Sequence, residues 1–171
     1  ELTLANCDAS LASDLPAFFA NYFACVDARV DGESVVIQTD GLPPHPSAYY
    51  PSGDPNYVLF DDRGGTHFKN PNELGVQNYE MTVSLNPTPK GITIDDSLVD
   101  NTMGTSDEEY SGGPVGISLN GVVAFAAMAA PGDDLSDEQY TFDSYEAHPA
   151  GVTYHYHFHT PGPLEVLVDR E

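Results

Sequence analysis

Ala24-Cys25-Val26-Asp27-Ala28-Arg29-Val30-Asp31-Gly32-Glu33-Ser34-Val35-Val36-Ile37 reads two residues at a time. Ala24, Val26, Ala28 and Val30 alternate with Cys25, Asp27 and Arg29, the period of a strand with one buried face. Asp31-Gly32 then turns the chain into Val35-Val36-Ile37, as a hairpin requires. The same period returns downstream. Tyr79, Met81, Val83 and Leu85 alternate with Glu80, Thr82 and Ser84. Val115 to Leu119, the turn Asn120-Gly121 and Val122 to Phe125 form a second hairpin signal. Thr153 to His159 and Leu164 to Val168, joined by Pro161-Gly162-Pro163, read as the last two strands. Helix is expected only at Leu15 to Asn21, entered from Ser13 or Asp14 as N-cap with Pro16 in the first turn. Gly41 to Asn78 and Pro131 to Ala150 stay long and irregular, and loops of that length are usually functional or tied down. The expectation is a mainly β fold: a single β-sandwich or irregular barrel-like domain over residues 1–171, with long loops and little helix.

Composition narrows the partners. A chain of 171 residues that is 40% hydrophobic suits one domain with a real core. Asp and Glu number 27 against 5 Lys and Arg, a net charge of −22. Such a surface repels phosphate backbones and anionic membranes, which argues against nucleic acid and membrane insertion, and it attracts cations. No apolar run approaches the length of a membrane span. Cys7 and Cys25 form an even pair in a chain rich in Tyr and Asp and poor in Lys. That fits an exported protein, extracellular or periplasmic, with one disulfide; two buried free thiols are the alternative. The chain starts at Glu1 with neither an initiator Met nor an apolar leader, as expected where a leader has been removed or the start trimmed.

Histidine carries the chemistry. His155, His157 and His159 occupy alternate positions in Tyr154-His155-Tyr156-His157-Phe158-His159. On a strand they share one face, and imidazoles so placed can converge on a metal. Tyr154, Tyr156 and Phe158 would then form an aromatic row on the core face. His148, in Glu146-Ala147-His148-Pro149, can return across the loop as a further ligand. His45 stands among Pro43, Pro44 and Pro46, which hold its backbone ready for ligation. The competing reading is a polar strand edge, or histidines bonded to acidic neighbours. Acidic clusters at Asp95-Asp96, Asp107-Glu108-Glu109, Asp133-Asp134 and Asp137-Glu138 lack the spacing of an EF-hand but offer oxygen ligands for Ca²⁺, or else form a solvated face.

The motifs resemble those of the YHYH family, named for Tyr154-His155-Tyr156-His157. Gly113 to Val122 is similar to that family's hairpin. Ala130 to Asp134, Tyr140 to Asp143 and His148-Pro149 are similar to its linker and His-Pro element. Asp40 to Pro46 resembles its proline-histidine motif, so the matching region runs over about residues 35–161, after an N-terminal segment 1–30. Tyr145-Glu146-Ala147 departs from the glycine, often with a nearby cysteine, that precedes the His-Pro pair in the family. The resemblance implies export and a shared divalent-metal site of His45, His148, His155 and His157; the alternate spacing adds His159 as a further candidate ligand.

Three roles follow from these features. The first is a metal-binding module for copper or zinc. The second is a metal-dependent hydrolase or oxidase, with Glu146 or Asp143 as base. The third is an extracellular structural subunit. No H-E-x-x-H occurs, Gly112 to Gly116 lacks the Gly-Lys-Ser/Thr of a phosphate loop, and Ser118 lacks a nucleophile elbow. The reading therefore leans away from an enzyme. Leu2-Thr3-Leu4-Ala5 and Leu164 to Val168 are short terminal strands, whose open edges suit a homo-oligomer or filament built by strand addition.

Overall fold

The computed structural model describes residues 7, 9–89, 113–126, 129, 135–157 and 160–170. The alternating segment becomes an antiparallel hairpin after strand β1 (Ser10–Leu11) and helix α1 (Ala17–Tyr22). Its strands are β2 (Asp27–Asp31) and β3 (Ser34–Thr39), and β3 pairs in turn with β4 (Tyr79–Ser84). The sheet order is β1-β2-β3-β4, with β1 parallel to β2. Asp31 pairs with Ser34, so Gly32-Glu33 forms the loop, and Gly32 takes the positive φ of 58° that glycine adopts without a Cβ clash. Val26, Ala28, Val35 and Ile37 bury one face of this sheet against Leu15 and Phe23. Helix α1 starts with Pro16 itself as N-cap and no side-chain cap, in place of Ser13 or Asp14.

The second sheet contains β5 (Pro114–Ile117), β6 (Val123–Phe125), β7 (Ala147–Ala150) and β8 (Thr153–Tyr156), in the order β5-β6-β8-β7. Strands β5 and β6 are the expected hairpin, and β6 runs parallel to β8. Strand β7 lies where the sequence reads as loop. It carries Pro149, which a sheet tolerates at an edge, and β7 is an edge strand. Ahead of it sit a four-residue helix, α2 (Leu135–Glu138), and a 3-10 turn at Gln139–Thr141.

The long segment 41–78 is tied down along its length. Tyr49, Tyr50 and Leu74 pack from it onto Val122, Ala147, Tyr154 and Tyr156 of the second sheet. The Gly75 amide donates to Val152 O at 3.0 Å, and the Asn70 and Asn72 side chains both donate to Pro149 O, at 3.1 and 3.0 Å. The two sheets join where the Ala24 amide donates to Leu119 O at 2.8 Å and Thr39 Oγ1 to Gly121 O at 2.7 Å. Gly121 has φ 83°, and a Cβ there would lie 2.5 Å from Cys25 O, so this turn excludes any side chain twice over.

The mainly β expectation holds, with two short four-stranded sheets that do not close into a barrel. One expectation is corrected. Leu164 to Val168 is helical, within α3 (Pro161–Arg170). Thr160-Pro161 supplies the start: Thr160 Oγ1 accepts the Gly162 amide, and Pro161 lacks the N–H that a first helical turn leaves unpaired. Val166 is fully buried against Ala24 and Cys25, whereas Leu164 and Val168 are exposed, so the three share no strand face. This removes one of the two terminal strands proposed for filament assembly, and Leu2 to Ala5 lies outside the described residues.

Cys7 and Cys25 are joined in a disulfide, with Cα atoms 5.1 Å apart. The bond ties the N-terminal segment to the start of β2 across 18 residues, worth roughly 3 kcal/mol on the chain-entropy account. Reduction should lower the melting temperature by several degrees and leave metal stoichiometry unchanged, checked by calorimetry beside elemental analysis.

Candidate metal centre

Strand pairing brings the histidines together. Gly151, at φ 61°, turns β7 back into β8, and the ladder sets His148 directly opposite His155. His157 follows two residues on, just past the end of β8, and so lies on the same face. One ring nitrogen from each of His148, His155 and His157 falls within 4.8 Å of the others, and all three residues are buried. The cluster can therefore hold a metal ion.

The outward nitrogens fix the tautomers. His155 Nδ1 lies 2.8 Å from Thr153 O, and His157 Nδ1 lies 2.9 Å from Ala126 O. A carbonyl only accepts, so both Nδ1 atoms carry the proton. His148 Nδ1 lies 2.6 Å from Thr141 Oγ1, whose own hydrogen goes to Glu138 O at 2.8 Å. Thr141 thus accepts, and His148 Nδ1 is protonated as well. All three Nε2 atoms are left as lone pairs facing inward, as in histidines whose far nitrogen is anchored for metal binding.

His155 Nε2 and His157 Nε2 are 3.0 Å apart. Lone pair against lone pair at that distance repels, unless a cation stands beside both. Two bonds of about 2.05 Å meeting at roughly 95° span that same separation. Aromatic rings wall the cluster: Phe125 stacks on His155 at 3.8 Å, and Phe142 meets His148 edge-on at 4.8 Å and lies parallel to His157 at 5.8 Å. Burial holds the rings neutral. It lowers His155 to about 3, with the nearby His148 adding to the shift, and lowers His148 to about 4, with His157 adding. His157 is lowered by burial too, against the opposing pull of the Ala126 carbonyl and Glu138.

His45 is elsewhere. It lies beside Tyr154 and Tyr156, whose side chains leave β8 on the face opposite His155 and His157, and it stacks on Tyr145 at 3.5 Å. His45 Nδ1 faces Pro46 O, so its Nε2 accepts the Tyr156 hydroxyl at 2.9 Å, and Asn120 Nδ2 donates to the same hydroxyl at 2.9 Å. The prolines hold His45 in place, but across the sheet from the cluster. His159 lies outside the described residues, as do the acidic clusters at 95–96, 107–109 and 133–134.

Neither base candidate reaches the centre. The Asp143 carboxylate accepts from Ser47 Oγ at 2.6 Å and Tyr154 OH at 2.8 Å on the tyrosine side, where burial raises it to about 6. Glu146 pairs with Arg63 at 2.7 Å near the surface. The carboxylate that does reach is Glu138, whose Oε2 stands 3.4 Å from His157 Nε2 and 3.8 Å from His148 Nε2. In the sequence Glu138 reads only as part of an acidic run. Comparison with protein-family models, with curated proteins and with solved structures gives no match in any of the three, so the chemistry of the site rests on its own residues.

Proposed function

We propose that the protein is an exported metal-binding module of the YHYH type, holding one divalent ion of the imidazole-preferring class, copper or zinc, at His148, His155 and His157. The observation that carries this reading is the convergence of three Nε2 lone pairs, each imidazole anchored through its Nδ1–H. Neutral rings packed this way gain when a cation enters, and imidazole favours Cu²⁺ over Zn²⁺ by intrinsic order. Export is supported by the disulfide, which belongs to oxidising compartments. Among the described residues no helix is long and apolar enough to cross a membrane. A bound ion would also serve a structural role, clamping the β7–β8 hairpin to itself.

The hydrolase or oxidase alternative has one feature in its favour, a cavity of about 380 Å³ bordered by His157, Phe125, Leu164 and Leu167. Against it, Asp143 and Glu146 are committed to other partners. Elemental analysis of the purified chain should find about one equivalent of copper or zinc, and removing it should lower the melting temperature. A metal-free chain that takes up neither ion at pH ~7.5, with no thermal shift, would overturn the proposal.

A further inference from the structure

Helix α2 exposes Ser136 and Asp137, and the turn that follows exposes Gln139 and Tyr140, yet the Glu138 side chain between them is only 17% exposed. It is turned inward, onto the imidazoles of His148 and His157. We infer that Glu138 is the fourth protein ligand of the centre and closes it, so that the ion is held by three nitrogens and one carboxylate oxygen with no position left for water. This rests on the metal-binding reading of His148, His155 and His157.

The distances separate a ligand from a base. Two donor atoms each about 2.1 Å from one ion lie about 3.0 Å apart at a right angle, about 3.4 Å at the tetrahedral angle and about 4.2 Å when opposed. The His155–His157 separation is 3.0 Å, and Glu138 Oε2 stands 3.4 and 3.8 Å from His157 and His148. These three separations suit atoms sharing an ion, whereas Glu138 stands outside the mutual 4.8 Å grouping of the three histidine nitrogens, so its side chain must swing toward His155 to complete the set. A carboxylate acting through bound water would stand a further hydrogen bond, about 2.7 Å, beyond that water. The tautomers agree, since the inward Nε2 atoms offer Glu138 lone pairs and no N–H. Charge agrees as well. A divalent ion among three neutral rings in an aromatic pocket is a buried net charge, and one carboxylate halves it.

Glu138 is coupled to the centre a second time. Its own carbonyl accepts the Thr141 hydroxyl, which in turn accepts His148 Nδ1–H. One residue thus supplies an inner oxygen and fixes the orientation of a neighbouring ring. The donor set, three imidazoles with one carboxylate, suits Zn²⁺ held in place more than an ion used to activate water.

The test compares the full chain with E138A and E138Q, using Zn²⁺ competition titrations and the visible spectrum of the Co²⁺ form. E138A should bind Zn²⁺ at least about 10-fold more weakly. Its Co²⁺ spectrum should change with pH between about 6 and 9, as a newly admitted water ionises. The unaltered chain should keep one spectrum over that range. E138Q, which retains an oxygen donor without the charge, should lie between the two, and the metal-free melting temperature of each variant separates lost ligation from lost folding. Wild-type affinity and spectrum in both variants would overturn the assignment, as would a spectrum that already titrates in the unaltered chain. If the unaltered chain binds neither Zn²⁺ nor Co²⁺, the metal reading of the histidines falls, and this inference with it.

Discussion

His155→Ala or His157→Ala should lower Zn²⁺ affinity by more than about 100-fold, beyond the 10–100-fold typical for residues that only orient a ligand. His155 is 1% exposed and His157 8%, and each contributes an inward Nε2 that no neighbouring side chain can replace. Loss of one also removes the stabilisation the ion gives the fold, which is about 2.7 kcal/mol when free metal is 100 times its dissociation constant. His45→Ala is the control. It breaks the bond to Tyr156 OH and empties the stack on Tyr145, so it should lower the melting temperature while leaving metal affinity and stoichiometry intact. Competition titration with a chelating dye, read beside calorimetry, separates the two outcomes. Equal loss of metal in all three variants would place His45 in the centre after all.

The metal-free protein should lose stability steeply as pH falls below about 6.5, the ordinary histidine value. Burial lowers His45 and His148 to about 4 and His155 to about 3. Between those values and 6.5 the unfolded chain binds protons that the folded chain refuses, so stability present above pH ~6.5 is withdrawn as pH drops towards the folded values. At 1.36 kcal/mol per unit, each of these imidazoles accounts for on the order of 3 to 5 kcal/mol. Asp143 acts in the opposite sense. Its folded value is raised to about 6, so it takes up a proton in the folded state as pH falls from there and offsets part of the loss. One carboxyl does not balance three imidazoles. Urea unfolding midpoints at pH 8, 7, 6 and 5, at fixed ionic strength with a chelator present, should fall progressively; a flat profile would refute buried neutral histidines. Zn²⁺ should move the whole acid transition to lower pH, because metal and proton compete for the same Nε2 atoms.

Much of this was legible in the sequence because a period of two is a local signal. Alternation placed β2, β3, β4 and the β5–β6 hairpin, and on β8 it sorted imidazoles to one face and tyrosines to the other. Which face a distant loop would cover is not a local property. Pro43, Pro44 and Pro46 announce a rigid His45 but carry no sign of its side, and the loop runs over the tyrosines. Leu164 to Val168 is too short for period alone to decide, and Pro161-Gly162-Pro163 reads as a turn between strands until Thr160 Oγ1 is seen to accept the Gly162 amide. Glu138 was hidden by its company: in an acidic run, one residue turned inward looks like the rest until the 3-10 turn at Gln139–Thr141 orients it.

The cover that segment 41–78 lays over the second sheet sets the order in which the chain can fold. The β2–β3 hairpin closes locally, and β4 needs nothing beyond Ser84. Tyr49, Tyr50 and Leu74 belong to a core whose other half, Tyr154 and Tyr156, is synthesised about a hundred residues later; His45 and Tyr156 are 111 positions apart. Contacts of that separation slow folding, since loop closure is paid for before the packing rewards it. Until those residues pair, two tyrosines and a leucine lack their covering partners, and a chain of final net charge −22 is expected to repel its neighbours in the meantime.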